Sequence, residues 1–345
     1  MKVRELGIRI GNLPVGRKNC ITDVEGVRVG HVTLDFPIDD KGEYACTGVT
    51  AILPHGGNLF KEKVTAASYV INGFGKTTGL VQVNELGVIE SPIMLTNTFG
   101  VPAVTQGTLE YMLEQNPEIG ISTGTINIVV GECNDSYLNS IRKCPVKPEH
   151  AIEAIRNASQ NTAEEGAVGA GKGMICFGYK GGIGSSSRIV QAGDQTYTVG
   201  CLVLSNFGES HEFRREQYRV EKPQEDSIVK PTDGSIIMVL ATDAPLSSRQ
   251  LLRVIKRCGI GLARTGSHYS HGSGDIVIGF TTAHKIPHFT DSIVESRTQL
   301  REDHEVMNLL FAASAEATEE AILNSLSQAV TTTGRNGHIV HSFKW

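Results

Sequence analysis

The chain has 345 residues, 40% of them hydrophobic and 20% charged, with a formal net charge of −5. That balance describes a globular protein with a substantial core, and the length admits one large α/β domain or two smaller ones. The charge leaves no basic footprint for nucleic acid, no apolar run is long enough to span a membrane, and the opening "MKVRELGIRIGNLPVG" lacks a signal-peptide apolar core, so the expectation is a cytoplasmic protein with neither nucleic-acid nor membrane partners.

Apolar or alternating runs bounded by Gly, Pro, Asn or Asp predict strands. In chain order they are GVTAILP (48–54), SPIMLTN (91–97), NIVVGEC (127–133), GMICFGY (173–179), VGCLVLSN (199–206), SIIMVLATD (235–243) and GDIVIGFTTA (274–283). Helical patterns lie between them. The stretch 148–166 opens on Pro and acids and closes at Gly166. A second begins after Ser247 or Ser248 as N-cap, with Leu251, Leu252 and Ile255 on one stripe, and a third covers roughly 302–329. Strands and helices interleave without a βαβ rhythm, which predicts an α+β or layered α/β fold. The polar stretch 209–234 is dense in charge and reads as an exposed connection.

Glu132 closes the strand 127–133, where its carboxylate either binds a substrate ammonium or faces water in a turn; Cys133 beside it reads as a buried thiol. The segment 166–188 is rich in Gly, but Gly follows Lys172 where a phosphate loop needs Ser or Thr, and the glycines precede the strand instead of following it. Close backbone packing is the better reading there, and Gly184–Arg188 is either a polar turn or a nucleophile loop. Asn206 ends a strand, as a turn residue or as an amide donor for an oxyanion. Ser273 and Asp275 stand two apart on one face as the chain enters a strand. The seven cysteines include no CxxC pair and read as reduced, mostly buried thiols, so neither metal nor cofactor is implied.

Gly234–Ser235 sits where the charged connection meets the apolar run, either as a turn or as a bond to be broken. Cutting there leaves Ser235 as an amino terminus. A serine hydroxyl needs a base. Its own α-amine, with a reference pKa of about 7.7–8.0, then lies close to working pH.

Taken together, NCITDVEGVRVGHVTL (19–34), PIMLTNTFGV, GKGMICFGYKGGIGSSSR, VGCLVLSNFG, GSIIMVLATDAPL and GSGDIVIGFTTA resemble the DmpA-like peptidases over nearly the whole chain. That family comprises L-aminopeptidase/D-amino-acid esterase-amidases and β-peptidyl aminopeptidases. The resemblance implies a four-layer αββα sandwich of the DmpA/ornithine acetyltransferase type, formed by a single domain, 1–345, that cuts itself into 1–234 and 235–345. It implies Ser235 as nucleophile, Asn206 as oxyanion donor, and Ser273 and Asp275 as proton-handling partners; the acid is Glu in some relatives. Glu132 is then the partner of the substrate amine. Two residues later part of the family carries a tyrosine, where this chain has Asn134, with Tyr137 further on. The implied function is release of amino-terminal residues from small peptides, amides or esters by a homotetramer of processed protomers. Acyl transfer of the ornithine acetyltransferase type, or a catalytically silent binding homologue, is the alternative.

Overall fold

The computed structural model describes residues 1–218, 229 and 234–345. The strands are β1 (Arg28–Pro37), β2 (Tyr44–Leu53), β3 (Glu62–Gly73), β4 (Val88–Ile89), β5 (Ile93–Asn97), β6 (Val129–Cys133), β7 (Ile175–Cys176), β8 (Tyr179–Lys180), β9 (Gly182–Ala192), β10 (Gln195–Asn206), β11 (Ser235–Thr242), β12 (Gly274–Pro287), β13 (Thr332–Thr333) and β14 (Ile339–Val340). The helices are α1 (Leu80–Leu86), α2 (Val101–Gln115), α3 (Pro148–Arg156), α4 (Ser248–Ile255), α5 (Cys258–Thr265) and α6 (Val306–Ser327). One sheet runs β1-β2-β5-β6 and the other β4-β3-β12-β11-β10-β9.

The two sheets pack face to face, each with helices on its outer face. Between them lies a core that includes Ile52, Ile93, Leu95, Val129, Leu202, Leu204, Ile237, Val239, Ile276 and Phe280. Met94, Val130 and Val49 point the other way, toward Val104 and Met112 of α2 and Ala151 and Ile155 of α3. Ile236, Met238 and Leu240 turn toward Leu251, Leu262 and Leu310 of α4, α5 and α6. The result is the four-layer αββα sandwich. Alternate residues of β11 are therefore buried on opposite faces, and this is why its sequence is a continuous apolar run rather than an alternating one.

Two pairs are parallel, β5 with β6 and β11 with β12. The first is connected through α2 and the second through α4 and α5, so βαβ crossovers occur at two places where the sequence rhythm showed none. The second matters because it brings the starts of β11 and β12 side by side.

The local expectations need three corrections. The helix beginning at Pro148 ends at Arg156, well short of Gly166, because Ser159 exchanges backbone hydrogen bonds with Val29 and so pairs with the edge of the first sheet. The run 173–179 is a tight hairpin, β7–β8, turned by Phe177 (φ 53°) and Gly178 (φ 79°), both left-handed as such a turn demands. Gly184–Arg188 is neither turn nor nucleophile loop but the buried interior of β9. A Cβ on Gly184 would lie 1.9 Å from the Ala321 carbonyl oxygen of α6, and Arg188 holds Glu316 and Glu320 of that helix at 3.0 and 2.7 Å. Within the expected connection, residues 209–218 are mostly exposed or half-buried, with Phe213 and Tyr218 buried and Phe213 stacked on Phe177. Apart from Val229 and Gly234, the rest of that connection lies outside the described residues.

The N-cap of α4 is Ser247, whose side chain accepts the Gln250 amide, and α6 falls within the expected 302–329. Six of the seven cysteines are buried, Cys144 is exposed, and all are free thiols. Among the described residues no helix is long and apolar enough to cross a membrane.

Candidate active site

Three strand ends meet at one end of the six-stranded sheet. Ser235, the first residue of β11, pairs with Asn206 at the end of β10 on one side and with Gly274 at the start of β12 on the other. The Gly274 amide donates to Ser235 Oγ at 3.1 Å. Ser235 itself is buried, with the half-buried Gly234 leading into it. A hydroxyl on the first residue of a strand buried on both faces has little freedom to wander, which suits a nucleophile.

Ser273 and Asp275 flank Gly274 and share a face: Ser273 Oγ donates to Asp275 Oδ1 at 2.7 Å. The other oxygen, Oδ2, is buried without a partner among the described residues. Burial therefore pushes the Asp275 carboxyl up to about 6, against the Ser273 hydrogen bond that pulls it down. The turn before it is tied to β3 by Asn72, whose Nδ2 donates to the carbonyls of Ser270, His271 and Ser273.

Asn206 is held from two directions. Its Oδ1 accepts the Ile175 amide at 2.9 Å, and its Nδ2 donates to the Asn134 carbonyl at 3.0 Å. One N–H of the carboxamide is thereby used, leaving the second to serve an oxyanion. The Ile175 amide is itself fixed by the β7–β8 hairpin, which Lys180 closes from inside. Lys180 Nζ donates to the carbonyls of Gly171, Met174 and Gly181 at 2.9, 2.7 and 2.8 Å. Burial lowers that ammonium to about 7.

Glu132 comes from the other sheet. It ends β6, and far from facing water it is 3% exposed. Its Oε1 accepts the Lys76 amide at 2.9 Å and its Oε2 accepts the Thr98 hydroxyl. Glu132, Asn134 and Ser235 line one cavity of about 320 Å³, whose walls also include Phe74, Phe99 and Arg142. So the structure brings the sequence-chosen Ser235, Asn206, Ser273, Asp275, Glu132 and Asn134 to one place. Tyr137 is stacked on His338 and does not line the cavity. Sequence reasoning missed the Gly274 and Ile175 amides, Lys76, Thr98 and Lys180. Backbone donors leave no mark in a sequence, and Thr98 is signalled only by following the strand end at Asn97.

Two nearby histidines need placing. His268 is largely exposed and pairs with Glu212 at 2.7 Å, while His271 sits beside the Phe74 ring. Among the described residues, neither hydrogen-bonds Ser235 Oγ. No group of three or more His, Cys, Asp or Glu that could hold a metal occurs among them.

The profile of peptidase family S58 matches residues 19–340. The chain belongs to peptidase family S58. This S58 chain is 37% identical to the β-peptidyl aminopeptidase BapA of Sphingosinicella microcystinivorans, an alignment that covers 98% of this chain and 88% of the relative. Among solved structures, a Pyrococcus horikoshii OT3 protein superposes with a TM-score of 0.90 at 49% identity, covering 99% and 96% of the two chains. The L-aminopeptidase D-Ala-esterase/amidase of Ochrobactrum anthropi superposes with a TM-score of 0.89 at 31% identity, covering 99% and 95%; it is described as a prototype for the serine aminopeptidases and a variant of the Ntn-hydrolase fold. The S58 chain shares that fold and is a hydrolase, a serine-type aminopeptidase or amidase acting on peptides. Acyl transfer of the ornithine acetyltransferase kind is not favoured by these matches.

Proposed function

We propose that this single-domain chain cuts itself at Gly234–Ser235 and then releases amino-terminal residues from small peptides, amides or esters, including β-linked ones, with Ser235 as nucleophile. The observation that carries the reading is the placement of Ser235 at the first position of β11, between Asn206 and Gly274 and in one cavity with Glu132.

In self-cutting, Ser235 Oγ attacks the Gly234 carbonyl carbon and the peptide nitrogen departs as the Ser235 amine. Water then hydrolyses the resulting ester, leaving Gly234 as a carboxylate. No α-amine exists before this step, so Asp275, acting through Ser273, is the proton acceptor at hand. In turnover, the freed α-amine of Ser235 takes the hydroxyl proton as Oγ attacks the substrate carbonyl, and it returns that proton to the departing amine. Asn206 Nδ2 stabilises the oxyanion. Water releases the acyl group from Oγ by the same route. Glu132 binds the substrate ammonium, since a cation taken into a half-enclosed pocket needs an anionic partner, and Asn134 borders it. The working form is a homotetramer of processed protomers, and the compartment is the cytoplasm.

Intact-mass analysis of the purified protein tests this. The expected result is two chains, Met1–Gly234 and Ser235–Trp345, the smaller beginning Ser-Ile-Ile-Met, with Ser235→Ala uncut and inactive on an L-alanine anilide. Turnover of that anilide by Ser235→Ala would remove Ser235 as nucleophile, and a cut elsewhere would move the junction. A wild-type chain that stays whole and binds peptides without turning them over would instead favour the silent homologue.

A further inference from the structure

The cavity beside Ser235 carries an unbalanced set of charges. Among the described residues its one carboxylate, Glu132, lies at the buried end and already holds the Lys76 amide and the Thr98 hydroxyl. Two cationic side chains, Lys76 and Arg142, line the same space, and both are exposed toward solvent. Lys76 Nζ stands over the Phe74 ring, 4.6 Å from its centroid. Neither cationic head forms an ion pair among the described residues. Both therefore keep their donors available to a visitor.

A bound aminoacyl group uses this space in a fixed order. Its ammonium goes to Glu132 and its carbonyl to Ser235, which is the reading given above and on which this inference rests. That pairing neutralises Glu132. What remains for the acyl side chain is a wall of two positive charges set among Phe74, Phe99 and Ile141. A Lys or Arg side chain entering there meets like charge and gains no partner. An apolar side chain gains contact with the rings and leaves the cations in water. A carboxylate gains two charge-assisted donors, one of them a guanidinium suited to hold both oxygens at once. The cavity's 320 Å³ is at the small end for ligand sites, which suits one residue rather than a long peptide.

We propose that Arg142 and Lys76 select aminoacyl groups that carry a carboxylate besides the free amine. Amino-terminal glutamate or aspartate qualifies, as does a β-linked residue with a free α-carboxylate. The selection is a specificity function of residues outside the nucleophile's own strand cluster. It acts at a solvent-facing mouth, so salt weakens it.

Glutamyl and glutaminyl p-nitroanilides test it, because they match in size and differ in charge. The readout is the ratio of kcat/KM for Glu over Gln within each protein, which cancels any general loss of activity. Two exposed pairs predict a ratio of roughly three to thirty in the wild type at low salt, falling as salt rises. Arg142→Gln should lower the ratio, and Arg142→Glu should bring it below one, with Lys76→Glu moving it the same way. A wild-type ratio of one or less, or a ratio that Arg142→Glu leaves unchanged, overturns the proposal. So does failure to hydrolyse either anilide while an L-alanine anilide is still cleaved. Loss of all three substrates points instead to failure of the underlying peptidase reading, and the proposal falls with it.

Discussion

Asp275→Asn tests, at a single carboxyl, whether the site is built at a cost to stability. Asp275 is fully buried, with one oxygen held by Ser273 and the other without a partner among the described residues, and its carboxyl lies at about 6 instead of 3.8. A raised acid pKa means that the native state favours the protonated form more than the unfolded chain does. The native state is therefore penalised wherever the carboxylate is charged. The penalty is complete above about 6, shrinks as the pH falls through that value, and vanishes below the unfolded value of 3.8. The shift corresponds to about 3 kcal/mol at pH 8 and roughly half of that at pH 5. Asparagine is neutral throughout and keeps an oxygen for Ser273, but it puts an amide NH₂ where Oδ2 had no partner, at a cost of about 1–3 kcal/mol. The variant should thus be from equally stable to about 2 kcal/mol more stable at pH 8, and its advantage should shrink by roughly 1–2 kcal/mol at pH 5. Urea unfolding of both proteins in a Ser235→Ala background, so that neither chain is cut, measures the difference. The NH₂ cost is the same at both pH values, so the pH dependence isolates the carboxyl. A stability difference that is flat, or that grows toward pH 5, refutes a titration near 6. In the otherwise unaltered enzyme the same substitution should lower turnover by about 10²-fold or more if Asp275 handles protons.

Glu132→Gln should raise KM for substrates with a free amine by about 10-fold or more while leaving self-cutting intact, because Gly234 brings no ammonium; equal kinetics on an L-alanine amide would take Glu132 out of the site. The Ser235 amine as base predicts that kcat/KM climbs with pH through a midpoint displaced from about 7.7–8.0 by the site, upward if the Asp275 carboxylate dominates. His268 and His271 replaced together should leave a processed, active enzyme; a correctly cut double variant slowed by about 10²–10⁴-fold would assign the base to imidazole. Lys180→Met removes a donor from three buried carbonyls, of which those of Gly171 and Met174 keep a backbone amide, and should cost about 1–3 kcal/mol of stability. It should also lower kcat more than it raises KM by loosening Asn206, and an unchanged kcat in the folded variant would break the link from Lys180 to the oxyanion donor.

The sequence exposed this site only as far as punctuation and periodicity reach. Ser235 is visible because a charged, Pro-marked stretch stops at Gly234 and a run buried on both faces begins. Ser273 and Asp275 are visible because two-residue spacing puts them on one face, and their 2.7 Å hydrogen bond follows from it. Strand interiors rich in Gly and Ser misled, because β9 takes its place from α6 packed against it rather than from apolar side chains of its own. Gly184 lets the two backbones approach, and Arg188 gives the buried acids of α6 their partner. A composition of glycine, serine and arginine looks like a loop until that helix is present.

Register and layer stacking carry the rest, and neither is written locally. That Asn206 faces Ser235 depends on the antiparallel pairing of β10 with β11, and a slip of one residue would turn the amide to the opposite face. That Gly274 offers its amide to Ser235 depends on the parallel crossover through α4 and α5, with Asn72 of β3 tying down the turn before it. Glu132 is further removed still, since it belongs to the other sheet. Its nearness to Ser235 requires that β6 of one layer and β11 of the other end at the same rim. The inter-sheet core secures this: the carbon that a side chain at Gly131 would add lies 3.2 Å from Ile237, so the strands approach closely just before Glu132 emerges. The cations follow from the same geometry. Lys76 and Arg142 belong to connections that pass over this rim, so their charge acts on whatever Glu132 and Ser235 hold between them. On the proposed reading Ser235 of β11 sets where the chemistry happens, and the acyl group is selected by two connections, Arg142 after β6 of the opposite sheet and Lys76 after β3 of the same sheet.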